Sequence, residues 1–196
     1  WVKIIMQITY GRELSPENPE EFLDGVNYYV ADAFKIAIED FRQQKFRRTG
    51  IVWWSLLDMW PMGFNYSAVD SDFNPKLPFR VAALSQQPLA LMAMDAPGNQ
   101  ALPRLHAVND TLREYSGEYR VTTLDGEVIA AGSFQVAPNA VADLGEINVK
   151  PADFALLCWN ADGISGVNYF MRDGQPFNLE KCRRMTAMLR SGIPEF

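Results

Sequence analysis

The sequence predicts an α/β fold followed by an all-β one. Three observations carry this. Apolar residues recur at helical spacing over 26–41, a run apolar on both faces follows at 51–57, and from Leu89 short apolar stretches alternate with turn residues. Residues 1–95 therefore read as α/β and residues 96–174 as all-β, with the first strand of the series already at 89–95.

The helix comes first. Asn18-Pro19-Glu20-Glu21 combines a capping side chain, a proline for the first helical position and a carboxylate in the first turn. Gly25 is expected to interrupt. Beyond it Val26, Val30, Ala33, Phe34, Ala37 and Phe41 form one face, and Asp32, Lys35, Glu39, Arg42 and Gln43 the opposite, solvated one. Arg42, Lys45, Arg47 and Arg48 suit the negative end of the helix dipole. Gly50 ends the helical region.

The run Ile51-Val52-Trp53-Trp54-Ser55-Leu56-Leu57 has no polar face, as in a parallel strand covered on both sides. Helix, short link and buried strand make half of an α/β repeat. An aromatic loop follows at 62–66, then a short extended stretch at 67–70 and turns at Asn74-Pro75 and Leu77-Pro78. A helix of about two turns is predicted over 79–85, stopped before Pro88.

Strands are expected near 89–95, 104–109, 115–123, 128–136, 140–149, 154–160 and 166–171. Asp125-Gly126 and Asp162-Gly163 mark hairpins, because Asp-Gly enters the positive-φ turns that match strand twist. Short strands with regular turns argue for a β-sandwich. Leu179 to Leu189 reads as a terminal helix docking through Met185, Met188 and Leu189.

Composition excludes several function classes. With a net charge of −6 and no basic run, nothing resembles a nucleic-acid footprint. No apolar run approaches the roughly 20 residues that span a bilayer. Two cysteines, Cys158 and Cys182, are too few for a disulfide framework or a thiolate metal site, and are expected as buried free thiols. With His106 the only histidine, a His-rich metal centre is excluded, and no nucleophile elbow accompanies it. Phosphate-binding glycine loops are absent from the sequence, so no cofactor is expected. Trp1-Val2-Lys3 carries no initiator methionine or leader, which is expected of a piece of a longer protein. The compartment stays open.

Two features could carry chemistry. Asp58 directly follows the predicted strand, at the end where barrel enzymes collect active-site loops. It either fixes its loop by accepting hydrogen bonds or touches a substrate. Trp53, Trp54, Trp60, Phe64 and Tyr66 crowd into residues 53–66, either as core or as flat faces for sugar rings. The remaining carboxylates, Glu20, Glu21, Asp32, Glu39 and Asp40, are expected on helix caps or solvated faces.

The stretch Gly50-Ile51-Val52-Trp53-Trp54-Ser55-Leu56-Leu57-Asp58-Met59-Trp60-Pro61 resembles the last barrel strand of family-2 glycoside hydrolases, above all the β-mannosidase-like branch. Ser67-Ala68-Val69-Asp70 and Asn74-Pro75-Lys76 are similar to the segments that follow it there. Val108-Asn109-Asp110-Thr111 and Val167-Asn168-Tyr169-Phe170 are similar to pieces of the family's C-terminal sandwich. Leu57 and Ser55 stand where the branch has Asn and Gln, which puts a mannoside preference in doubt.

The resemblance implies the C-terminal end of a (β/α)8 barrel over residues 1–87, with its last strand near 50–57. An immunoglobulin-like β-sandwich with a terminal helix would follow over 88–196. It implies a fragment of a retaining β-glycosidase acting on terminal β-linked sugars. Trp54 would line the sugar subsite, with Asp58 and Trp60 shaping the adjoining loop. The family's two catalytic glutamates have no counterpart: Glu21-Phe22 lies at a helix start and Glu195-Phe196 at the terminus. The fragment itself is then expected to be inactive, with carbohydrate as partner only through the parent barrel, and to self-associate through the incomplete barrel. The alternative is a non-catalytic carbohydrate-binding or structural sandwich module.

Overall fold

The computed structural model describes residues 2–95 and 101–190, so Glu195-Phe196 lies outside the described residues. Three helices come first: α1 (Val2–Tyr10), α2 (Pro19–Gln43) and α3 (Leu77–Ser85). Seven strands follow: β1 (Leu89–Met94), β2 (Arg104–Asn109), β3 (Tyr115–Thr123), β4 (Val128–Val136), β5 (Val141–Glu146), β6 (Phe154–Ala161) and β7 (Ile164–Met171). Helix α4 (Leu179–Arg190) comes last.

Helix α2 does not break at Gly25. The glycine is needed there for close packing: a Cβ would lie 2.2 Å from Leu14 Cδ1, and Tyr10 Oη donates to Gly25 O at 2.7 Å. The expected Asn18 side-chain cap is not formed either. The helix stops at Gln43, where Gln44 N bonds Asp40 O, seven residues before Gly50. Pro at the first turn starts both α2 and α3, where a missing N–H costs nothing.

The strands form two antiparallel sheets, β1-β2-β5 and β4-β3-β6-β7. Their inner faces meet in a core of Leu91, Leu105, Val121, Leu157, Trp159 and Phe170 among others. A two-residue turn joins β6 to β7, with Asp162 at φ 49° and Gly163 at φ 81°, the mirror-image turn that strand twist favours. Opposite Trp159 in the register stands Gly166, and a Cβ there would lie 2.1 Å from the indole. Gly166→Ala should therefore lower stability by about 1–3 kcal/mol through overpacking. Urea unfolding checks this; an unchanged midpoint would refute it.

A second core joins helices and sandwich. Met6, Leu14, Val30, Phe34 and Ile38 share it with Leu156, Tyr169, Cys182 and Met185. Both cysteines are buried and free. Helix α2 is thus covered on two sides, which overturns the expectation of a solvated polar face. Lys35 and Glu39 are each only 4 % exposed, while Ile36 is 61 % exposed. The basic end of α2 is not free either. Arg42 pairs with Asp110 at 2.8 Å and donates to Gln87 O, Lys45 pairs with Asp110, and Arg48 pairs with Asp40. Arg42 and Lys45 tie the helix end to the β2–β3 turn and so do more than answer the helix dipole.

Candidate functional site

The segment 51–58 is neither a helix nor a strand of a sheet, and its backbone bends at Trp54 and Leu56. Its ladder is one parallel bridge, Leu57 to Val69, with Ala68 N and Val69 N donating to Ser55 O and Leu56 O. Val69 also bridges Pro75, and Lys76 N donates to Ala68 O at 3.0 Å. Its apolar side chains divide between packed and exposed ones. Ile51 packs into the helical core and Trp53 meets Phe34 of α2 edge-on, with ring centroids 5.4 Å apart. Val52 is 99 % exposed, Trp54 85 % and Leu56 65 %. The expectation of a strand covered on both sides is corrected here. Parallel pairing takes its hydrogen bonds from neighbouring strands, and among the described residues only the short stretch at 68–69 lies beside this segment.

Asp58 ends the segment and is buried, at 3 % exposure. It accepts from Asn65 Nδ2 at 2.7 Å, from Ser67 Oγ, and from Lys76 Nζ at 3.1 Å. Burial pushes the carboxyl up, but these bonds outweigh it and hold it below the ordinary carboxylate range. Of the two roles open to Asp58, the geometry displays the loop-fixing one. Trp60 projects from the loop it closes, 60 % exposed, with Met59 at 80 %. Phe64 and Tyr66 turn inward, where Tyr66 meets Phe64 and Tyr29 edge-on. The aromatic crowd thus divides: Trp53, Phe64 and Tyr66 pack, while Trp54 and Trp60 face out.

Asp58, Asp70 and Asp72 line one cleft with Met62 and Lys76, and Asp58 and Asp70 are both engaged in hydrogen bonds within the loop and turn. Asp70 is spent on the turn, accepting from Asp72 N, Asn74 N and Asn74 Nδ2. Glu21 pairs with Arg12. His106 on β2 is half-buried, its Nδ1 2.7 Å from Gln43 Oε1, and burial holds its pKa down. It links helix to sheet. Among the described residues no group of three or more His, Cys, Asp or Glu is placed to hold a metal ion, and no described helix is long and apolar enough to cross a membrane.

Sequence reading missed the clamp under the loop. Lys76, Ser67 and Asn65 all reach Asp58. The signal available was the Asn74-Pro75-Lys76 turn, which placed a cation at the start of α3 without showing where its ammonium goes.

Solved structures that share the fold are themselves glycosidases. A β-D-mannosidase from Dictyoglomus thermophilum matches with a TM-score of 0.70 and 18 % identity, over 89 % of this chain and 22 % of that one. The exo-chitosanase CsxA of Amycolatopsis orientalis matches with a TM-score of 0.55 and 14 % identity, over 76 % of this chain and 18 % of that one. A structure of the exo-β-D-glucosaminidase CsxA studied for its inhibition gives 0.51 and 15 %, with the same coverage. The chain spans about a fifth of the length of these structures. No family model and no curated protein matches it. The likeness is one of fold.

Proposed function

We propose that this chain is the C-terminal part of a retaining β-glycosidase that hydrolyses terminal β-linked sugars. In this reading residues 1–87 close a catalytic (β/α)8 barrel, with its last strand at 50–57, and residues 88–196 form an immunoglobulin-like sandwich. One observation carries it: Val52, Trp54 and Leu56 are bare apolar side chains on a segment that Ile51 and Trp53 hold against the helical core. Such side chains suit the inside of a barrel, where layers of side chains fill the interior. Trp54 then lines the sugar subsite, and Trp60 borders it on a loop organised by Asp58. Retention needs two carboxyl groups about 5–5.5 Å apart, and in this reading both belong to other barrel strands. The isolated chain is then inactive, because one strand does not enclose a ligand pocket. It also self-associates through these bare side chains.

The test is an assay of aryl β-glycosides with a longer protein that carries this chain, beside the chain alone. Hydrolysis with retained anomeric configuration is expected from the longer protein and none from the chain. A longer protein with glutamates at both barrel positions that cleaves no β-glycoside would sink the proposal. Saturable micromolar sugar binding by the chain alone, followed by tryptophan fluorescence, would instead favour a carbohydrate-binding module.

A further inference from the structure

We infer that Lys76 is a positioning residue for the exposed aromatic loop: its ammonium joins Asp58 to Ser67, the two ends of the segment that carries Trp60. The inference deepens the proposed function, since it rests on that loop facing sugar.

The geometry is specific. Lys76 Nζ donates to Asp58 Oδ2 at 3.1 Å and to Ser67 Oγ at 2.9 Å. Its side chain is 16 % exposed against 3 % for Asp58, so the pair is shielded and less screened than a surface one. Lys76 is itself fixed from behind. It precedes α3, its backbone N–H bonds Ala68 O, and Val69 bridges Pro75 beside it. A rigid helix start thereby aims one cation at both ends of residues 58–67.

Those residues form no regular structure, so the loop keeps one shape only where side chains outweigh its conformational entropy. Asn65 and Ser67 supply neutral donors to Asp58. These two bonds do most to keep the desolvated carboxylate ionised, and Lys76 adds a third donor that carries the balancing charge. Taking the cation away removes the partner of a buried charge, and the loop bearing Trp60 would lose its closure. A platform ordered in advance holds a flat sugar ring at lower entropic cost than one ordered on binding.

The test uses the chain labelled with 5-fluorotryptophan, whose Trp60 fluorine resonance is assigned with Trp60→Phe. In Lys76→Met the Trp60 line should shift and broaden roughly twofold, as exchange among loop conformers reaches the μs–ms range. The Trp159 line, deep in the sandwich, should stay in place. Lys76→Arg should restore the Trp60 line. If Lys76→Met fails to fold, which a lost Trp159 line reveals, Ser67→Ala replaces it, since it removes the Lys76 contact at one end of the loop together with the Ser67 bond to Asp58 and leaves the Lys76–Asp58 pair in place. An unchanged Trp60 line in a folded Lys76→Met or Ser67→Ala overturns the inference. In a longer protein that cleaves aryl β-glycosides, Lys76→Met should raise KM about tenfold and alter kcat less, the signature of lost ligand positioning. If the fluorine lines respond but no glycoside is cleaved by the unaltered longer protein, Lys76 stands as the clamp and only the sugar-facing reading falls.

Discussion

Replacing Glu39 with alanine should lower the unfolding free energy by about 3–5 kcal/mol, the cost of leaving a buried charge without its partner. Glu39 Oε1 receives Lys35 Nζ, Ser85 Oγ at 2.8 Å and Asn168 Nδ2 at 2.9 Å. Asn168 returns its Oδ1 to Lys35 at 2.8 Å and gives Nδ2 to Leu91 O at 2.9 Å. Lys35 also lies over the Tyr169 ring, 4.4 Å from its centroid. One network therefore ties α2 to the end of α3, to β1 and to β7. Burial pushes the Lys35 ammonium down, and Glu39 is the main group opposing that shift. Without Glu39 the lysine sits desolvated over an aromatic ring and keeps its hydrogen bond to the Asn168 amide oxygen. Urea unfolding of Glu39→Ala reads the cost. The double substitution Lys35→Met with Glu39→Leu should recover most of the loss, because buried ion pairs gain little over well-packed apolar side chains. A single substitution costing under about 1 kcal/mol, the scale of a surface pair, would show that the network is not closed to water.

Asp32→Asn should stabilise the chain at pH 8 and leave it nearly unchanged at pH 4. Asp32 lies one turn from Lys35 in the seam between α2 and the sandwich, lining a cleft of about 330 Å³ with Asp95, Asp173, Phe170 and Phe177. Burial pushes its carboxyl up to about 7; Lys35 opposes this, while Glu39 and Asp173 add to it. An acid raised in the folded state binds more protons there than in the unfolded chain, whose aspartates titrate near about 3.9. Stability is then full below pH 4, falls as pH rises from about 4 to about 7, and levels off above that. A rise of about three pKa units corresponds to about 4 kcal/mol as an upper bound. Asparagine carries no such charge, so its stability profile should be flatter over that window. Thermal unfolding at a series of pH values decides it: parallel profiles for both proteins would place the Asp32 carboxylate in contact with water.

The β half was legible almost residue by residue. Strands 104–109, 115–123 and 128–136 stand where alternation and the turn residues put them. Asp-Gly turns close the β3–β4 and β6–β7 hairpins, whereas β2 with β5 and β3 with β6 pair across long stretches of chain. The expected strand over 140–149 shortens to Val141–Glu146, where Gly145 takes a φ of 95°. The terminal helix docks through Met185 as its spacing predicts.

The helical half was less legible, for a physical reason. Helical periodicity reports one apolar face and assumes the other meets water. Helix α2 has two partners, so Lys35 and Glu39 are polar by sequence and buried by position. What satisfies them is Asn168, 133 residues from Lys35 along the chain. No local window contains that pairing. Gly25 failed as a punctuation mark for the same reason: a glycine inside a helix costs propensity, but here it admits Leu14 and Tyr10.

By itself the sequence determined where chain segments become strands, where they turn, and that residues 50–61 carry an unusual apolar and aromatic run ending in a carboxylate. Only the tertiary structure decided which aromatics are core and which face out, that Asp58 is held by Lys76, Ser67 and Asn65, and that charges on α2 are sealed inside. Local patterns encode backbone preference. The partner of a polar or aromatic side chain depends on which distant segment the fold brings against it.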